Sequence, residues 1–144
     1  MKIIAYGRLN NKQEIELPFY EYLENYAFKT SDEKIKIISR IYQTIKYLYE
    51  HKGSMNLPPY IEPYKKTELS VIKIKYSNIL IRIAFFTIED EIVLLEAMDK
   101  PKFYDKAKKK KIDREIQLFL DKAEENLTNY MENKIGVDIT QEFN

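Results

Sequence analysis

Two cations interrupt the most strand-prone stretch of the chain. In VIKIKYSNILIRIAFF, residues 71–86, Lys73 and Arg82 stand among β-branched and aromatic side chains. If Ser77 and Asn78 form a two-residue turn, Tyr76 pairs with Ile79 and Lys73 falls directly opposite Arg82. Alternation then puts Lys75, Leu80, Ala84 and Phe86 on their face, and Ile72, Ile74, Ile79, Ile81, Ile83 and Phe85 on the face behind. Like charges opposed across a sheet cost some tenths of a kcal/mol up to about 1, so an anion is expected against them. In a third strand, Val93, Leu95 and Ala97 match the isoleucine side, while Leu94, Glu96, Met98 and Lys100 match the side of Arg82. Glu96 is thus placed either to accept a proton or to serve as counter-ion for Arg82. Beside two cations its pKa is expected to fall, which makes it a weak base. Lys75 and Tyr76 border this face. An antiparallel sheet with one wet face, its lysines serving solubility, accounts for the same pattern.

Other chemistries are excluded by what the chain lacks. It has no cysteine and one histidine, His51, which removes disulfides, thiolate nucleophiles, a Ser/His/Asp triad and an ordinary zinc site. No acidic cluster with calcium- or magnesium-loop spacing occurs. No metal or cofactor is expected, and His51, next to the helix-stopping Gly53, reads as a surface residue.

The elements that must position the cations follow from periodicity. The opening MKIIAY is expected to be a strand. Leu17, Phe19, Tyr20, Leu23, Tyr26 and Ala27 recur at helical spacing, with Pro18 acceptable in a first turn. Thr30 and Glu33 spell a capping box for a second helix with stripe Ile38, Ile41, Ile45 and Leu48. NLPPYIEPYKK reads as a proline-rich loop. Strands over 69–76, 79–88 and 91–99 with short connections imply an antiparallel meander. Ile112, Ile116, Phe119, Leu120, Ala123 and Leu127 then mark a long helix that Gly136 should end. The expected fold is α+β: an antiparallel sheet, made of the N-terminal strand plus the meander, packed against an N-terminal helix pair, with a long C-terminal helix. Residues 1–136 read as one domain and 137–144 as a tail, frayed or adding a short strand.

The 144 residues are 44% hydrophobic and 33% charged, with a formal net charge of +1, enough for one core and no obvious polyanion binder as a whole. No apolar run reaches membrane-spanning length and no secretory leader is readable, so a cytoplasmic protein without membrane contact is expected. The balance hides an asymmetry. KAKKKK at 106–111 makes the middle of the chain basic, whereas Glu124, Glu125, Glu132, Asp138 and Glu142 face Lys134 alone after residue 123.

The order of elements, with Gly53, Leu57-Pro58-Pro59-Tyr60, LSVIKIK at 69–75, IRIAFF at 81–86 and VLLEAMDK at 93–100, resembles the HigB-like, phage-derived branch of the RelE/ParE toxin superfamily over residues 19–123. Arg82 matches the family's strand arginine, Lys73 stands where the family has another arginine, and Lys100 matches a terminal lysine. Val71 replaces a motif glutamate and Glu96 a motif histidine. The resemblance implies a type II toxin: a metal-independent endoribonuclease that cleaves mRNA on the ribosome by 2′-hydroxyl attack. The resemblance also implies restraint by a helix-turn-helix antitoxin, through which alone the toxin would meet operator DNA. Lys73, Arg82, Glu96 and Lys100 would be catalytic. Lys75, Tyr76, Lys108, Lys109, Lys110 and Lys111 would bind RNA, and Tyr104 is a further candidate for stacking on a base. The same fold also carries non-enzymatic toxins of the gyrase-inhibiting ParE type, and loss of the motif glutamate and histidine favours that alternative.

Overall fold

The computed structural model describes residues 1–25, 31–52, 61–63, 68–101 and 103–144. In chain order these form strands β1 (Lys2–Tyr6), β2 (Arg8–Leu9) and β3 (Ile15–Glu16), and helices α1 (Pro18–Asn25) and α2 (Ser31–Glu50). Strands β4 (Ile61–Pro63), β5 (Ser70–Tyr76), β6 (Ile79–Ile88) and β7 (Glu91–Pro101) follow, then helix α3 (Lys106–Asn133), strand β8 (Gly136–Asp138) and a 3₁₀ turn at Thr140–Phe143. The architecture is α+β. Thr30, Gly53 and Leu57-Pro58-Pro59-Tyr60 lie outside the described residues, as do Tyr26 and Ala27 of the expected first stripe. Within the stretch read as a proline-rich loop, residues 61–63 pair with β5.

The main sheet runs β4-β5-β6-β7-β1-β8. β5, β6 and β7 are antiparallel neighbours, but β1 lies parallel to β7, with Ile3 opposite Ile92. The sheet is therefore mixed, not antiparallel throughout. A parallel neighbour cannot be joined through a tight turn, and here both helices and the hairpins intervene between β1 and β7.

Both faces of the sheet are covered. Ile3, Ile72, Ile74, Ile81, Ile83 and Phe85 pack against Phe19 and Leu23 of α1 and Ile37, Ile41, Ile45 and Leu48 of α2. This is the isoleucine face expected from alternation, with Ile37 deeper than Ile38 in the helix stripe. Asp32 and Glu33 favour the start of α2 by complementing its dipole. On the other face, Tyr6, Val71, Ala84, Phe86, Val93 and Leu95 pack against Phe119, Leu120, Ala123 and Tyr130 of α3. The last helix thus lies on the face that carries Lys73 and Arg82.

The C-terminal residues correct two expectations. α3 ends at Lys134, which takes left-handed φ 54° and donates its backbone N–H to Tyr130 O at 2.8 Å. Gly136 does not stop the helix: it opens β8 opposite Tyr6. A Cβ there would lie 2.6 Å from Ile4 Cγ2 and 2.9 Å from Ala5 O, so glycine allows β8 to approach β1. Of the two expectations for residues 137–144, the short added strand is the one observed, in β8, and the frayed tail is not. Ile139 and Phe143 are buried with the α1/α2 core, and Phe143 stacks on Tyr42 with ring centroids 4.8 Å apart. The Tyr20 hydroxyl donates to Glu142. Burial, first, and this bond to the carboxylate raise the Tyr20 pKa well above the ordinary phenol value.

Candidate functional site

The register of β5 and β6 is the one that brings the cations together: Tyr76 pairs with Ile79, Lys75 with Leu80, and Lys73 with Arg82. Ser77 supports the two-residue turn with φ 52°, the positive value such turns need at their first central position. Across β6 and β7, Leu80 pairs with Lys100, Arg82 with Met98 and Ala84 with Glu96. Three rows cross the strands, Lys75–Leu80–Lys100 nearest the turn, then Lys73–Arg82–Met98, then Val71–Ala84–Glu96. Directly opposed Cβ atoms sit about 4.5–5.5 Å apart and diagonal neighbours about 7–8 Å. By register, Lys73 stands directly opposite Arg82, with Glu96 and Lys100 on the diagonals. Burial falls along the rows: Val71 and Ala84 are buried, Lys73, Arg82, Met98 and Lys100 are half-buried, and Lys75 is exposed. α3 seals Val71 and Ala84 of the third row, and the cations lie at the margin of that seal.

Glu96 reaches this face through a bulge. The register slips between Ala84, which faces Glu96, and Phe85, which faces Leu94, so Leu95 is the extra residue. Upstream of the bulge, Val93 and Leu95 consequently pack on the α3 side and Leu94 on the helix-pair side, the reverse of the expected assignment. Downstream, Glu96, Met98 and Lys100 share the face of Arg82 and Ala97 the opposite one, as expected. Asn126 of α3, fully buried, donates to Leu95 O at 2.9 Å and to Glu96 Oε2 at 3.2 Å.

The Glu96 carboxyl titrates above the ordinary carboxylate value, the opposite of the direction anticipated from its neighbours in sequence. Burial dominates and disfavours the charged form, while Lys122, the Asn126 amide, Arg8 and the Ala97 backbone N–H partly offset it. The cations acting on Glu96 are thus Lys122 and Arg8, residues no strand motif points to. Beside it, along the part of β7 that runs past β1, a cleft of about 410 Å³ is lined by Pro18, Glu21, Tyr22, Asn25, Glu96, Ala97 and Asp99. Asp99 accepts a hydrogen bond from the Tyr22 hydroxyl at 3.0 Å. Its pKa is also raised, by burial first and by Glu115, against the lowering from Tyr22.

The remaining candidates are dispersed. Tyr76 packs with the α1/α2 core, on the face opposite Lys73, because position 76 alternates with 72 and 74. Tyr104 receives the Lys100 ammonium 5.2 Å from its ring centroid. Lys108, Lys109, Lys110 and Lys111 are exposed along the first turns of α3, whose N-terminus is capped by Asp105 Oδ1 accepting from Lys108 N at 3.1 Å. His51 is exposed against Tyr47. Among the described residues there is no group of three or more His, Cys, Asp or Glu side chains able to hold a metal, and no helix long and apolar enough to cross a membrane.

Asn126 was the least visible of these partners, although one signal existed: it interrupts the stripe Phe119, Ala123, Tyr130 with a polar residue at a core position. Comparison of the chain with protein-family models, curated proteins and solved structures gives no match.

Proposed function

We propose that this protein is the toxin of a type II toxin–antitoxin pair, with a RelE-like arrangement of sheet and helices, and that it cleaves mRNA without a metal. The observation that carries the reading is the Lys73–Arg82 pair, two cations opposed across β5 and β6 at the margin of the α3 seal, with Lys100 one diagonal step away. A fold gains nothing from placing like charges opposite each other. A phosphodiester bound beside them is attracted by both charges at once.

RNA supplies its own nucleophile, which suits a chain without cysteine. The ribose 2′-hydroxyl attacks the adjacent phosphorus, the bond to the 5′-oxygen breaks, and a 2′,3′-cyclic phosphate and a 5′-hydroxyl result. Arg82 and Lys73 neutralise the phosphorane. One proton leaves the 2′-hydroxyl for Glu96, whose raised pKa improves it as a base over an ordinary carboxylate. The other reaches the departing 5′-oxygen from the Lys100 ammonium. Lys75 and the exposed Lys108–Lys111 run attract the RNA backbone beyond the scissile step. An antitoxin covering the cations silences the activity.

Inducing the parent protein and an Arg82→Ala variant in cells, with growth and primer extension on cellular messages as readouts, tests this. The parent should arrest growth and leave discrete message ends. Arg82→Ala should lose about a hundredfold or more in cleavage with unfolding little changed. A fully toxic Arg82→Ala protein removes Arg82 from the mechanism.

A second reading, a gyrase-inhibiting toxin on the same fold, is favoured by Val71 and Glu96 standing where the nuclease motifs have a glutamate and a histidine. Growth arrest with intact messages and trapped gyrase–DNA complexes would select it.

A further inference from the structure

A buried amide on α3 stands where the packing asks for an apolar side chain. Asn126 is 2% exposed, between Ala123 and Tyr130 on a stripe that otherwise seals the sheet. Leucine would fill such a position without needing a hydrogen-bond partner, whereas a buried amide must be satisfied. The Asn126 nitrogen donates to two acceptors, the bulge carbonyl of Leu95 at 2.9 Å and Glu96 Oε2 at 3.2 Å, which matches its two hydrogens. A bulge leaves its extra residue outside the ladder and re-aims the next side chain, and the amide grips both consequences at once.

We propose that Asn126 is a positioning residue: it locks the β7 bulge and the orientation of Glu96, so that this carboxylate is presented in one geometry for proton transfer. The transfer itself rests on the ribonuclease reading; the locking does not. Without the amide, Glu96 would have several rotamers at a sheet edge, and the distance to an attacking hydroxyl would vary with each.

The test uses the full chain, with carbon-13 NMR of the glutamate carboxyls and nitrogen-15 NMR of the side-chain amides over a pH titration. In the parent, the Asn126 amide signals should move with the same midpoint as the Glu96 carboxyl, and Glu96→Gln should abolish that movement. Asn126→Leu should raise the Glu96 midpoint by about one pH unit or more, since a hydrogen bond to a carboxylate favours its charged form. Lys122 from α3 and Arg8 from β2 also act on Glu96, and Glu21 and Asp99 share its cleft. The titration is therefore repeated in Glu21→Gln and Asp99→Asn backgrounds. In cleavage assays, Asn126→Leu should carry the acid limb of the rate–pH profile upward with the Glu96 midpoint, a shift that loss of packing alone would not produce.

An Asn126 amide indifferent to Glu96 ionisation, or a Glu96 midpoint unmoved in folded Asn126→Leu, overturns the proposal. Should Asn126→Leu fail to fold, the amide titration of the parent decides by itself. A Glu96→Gln protein that cleaves like the parent would remove Glu96 as the base, while the coupled titration would still decide whether Asn126 holds it.

Discussion

Phe143→Ala measures how far the last residues belong to the core. Phe143 is 3% exposed and stacked on Tyr42, ring planes inclined by 23°. Truncating a buried phenylalanine costs about 3–5 kcal/mol, the transfer loss plus the cavity left behind. That range already contains the stacking with Tyr42, about 0.5–1.5 kcal/mol. Against a total stability on the order of 5–15 kcal/mol, the loss is a large fraction, and the melting temperature should fall by roughly 10 °C. Urea unfolding followed by circular dichroism gives the free energy, with Val137→Ala as control because Val137 is 39% exposed. The control should stay within about 0.5 kcal/mol of the parent. A Phe143→Ala loss below about 1 kcal/mol would refute the claim that Phe143 anchors the C-terminal residues in the core.

Gly136→Ala should destabilise by about 1–3 kcal/mol in the same assay, since its Cβ meets Ile4 Cγ2 at 2.6 Å and Ala5 O at 2.9 Å. Glu89 holds φ 50° at the turn between β6 and β7, so Glu89→Gly should raise stability by up to about 1 kcal/mol by relieving a left-handed backbone. For Glu96, the folded carboxyl binds its proton more tightly than the unfolded one. Its contribution to stability is therefore greatest below the unfolded carboxylate pKa and is lost as pH rises through the higher folded value. Glu96→Gln should flatten the decline in stability over that window, read from unfolding free energies at successive pH values. An unchanged slope would deny the burial effect. Replacing Lys108, Lys109, Lys110 and Lys111 together by Gln should weaken RNA binding and make it less dependent on salt in fluorescence titrations.

The hairpin was legible in the sequence because two independent rules agree on it: a two-residue turn at Ser77-Asn78 fixes the register, and strict alternation from Ile72 to Phe85 fixes the faces. Those rules place Lys73 opposite Arg82 before any coordinates. The bulge at Leu95 was not legible, since VLLEAM contains no glycine to announce it and an apolar run reads equally well in either phase. One inserted residue exchanges the two faces, which is why Val93, Leu94 and Leu95 lie on the sides opposite to those that alternation predicts while Met98 and Lys100 lie where it predicts. The apolar stripe of α3 shows that it must be buried, but not against which face. Ala84 and Phe86 beside Arg82 were the available hint that this face is only partly polar. The raised pKa of Glu96 was hidden for a like reason, since burial outweighs the cations near it.

β1 and β8 meet although nearly the whole described chain separates them, and the Thr140 hydroxyl accepts the Ile3 backbone N–H at 2.9 Å across 137 positions. Ile3 to Tyr6 must therefore wait, one flank unsheltered, until the ribosome has made residues 136–143. Loop closure of that span delays folding, and the open flank invites pairing with another nascent chain. Until β8 is in place, that flank of β1 is where misassembly during synthesis would begin.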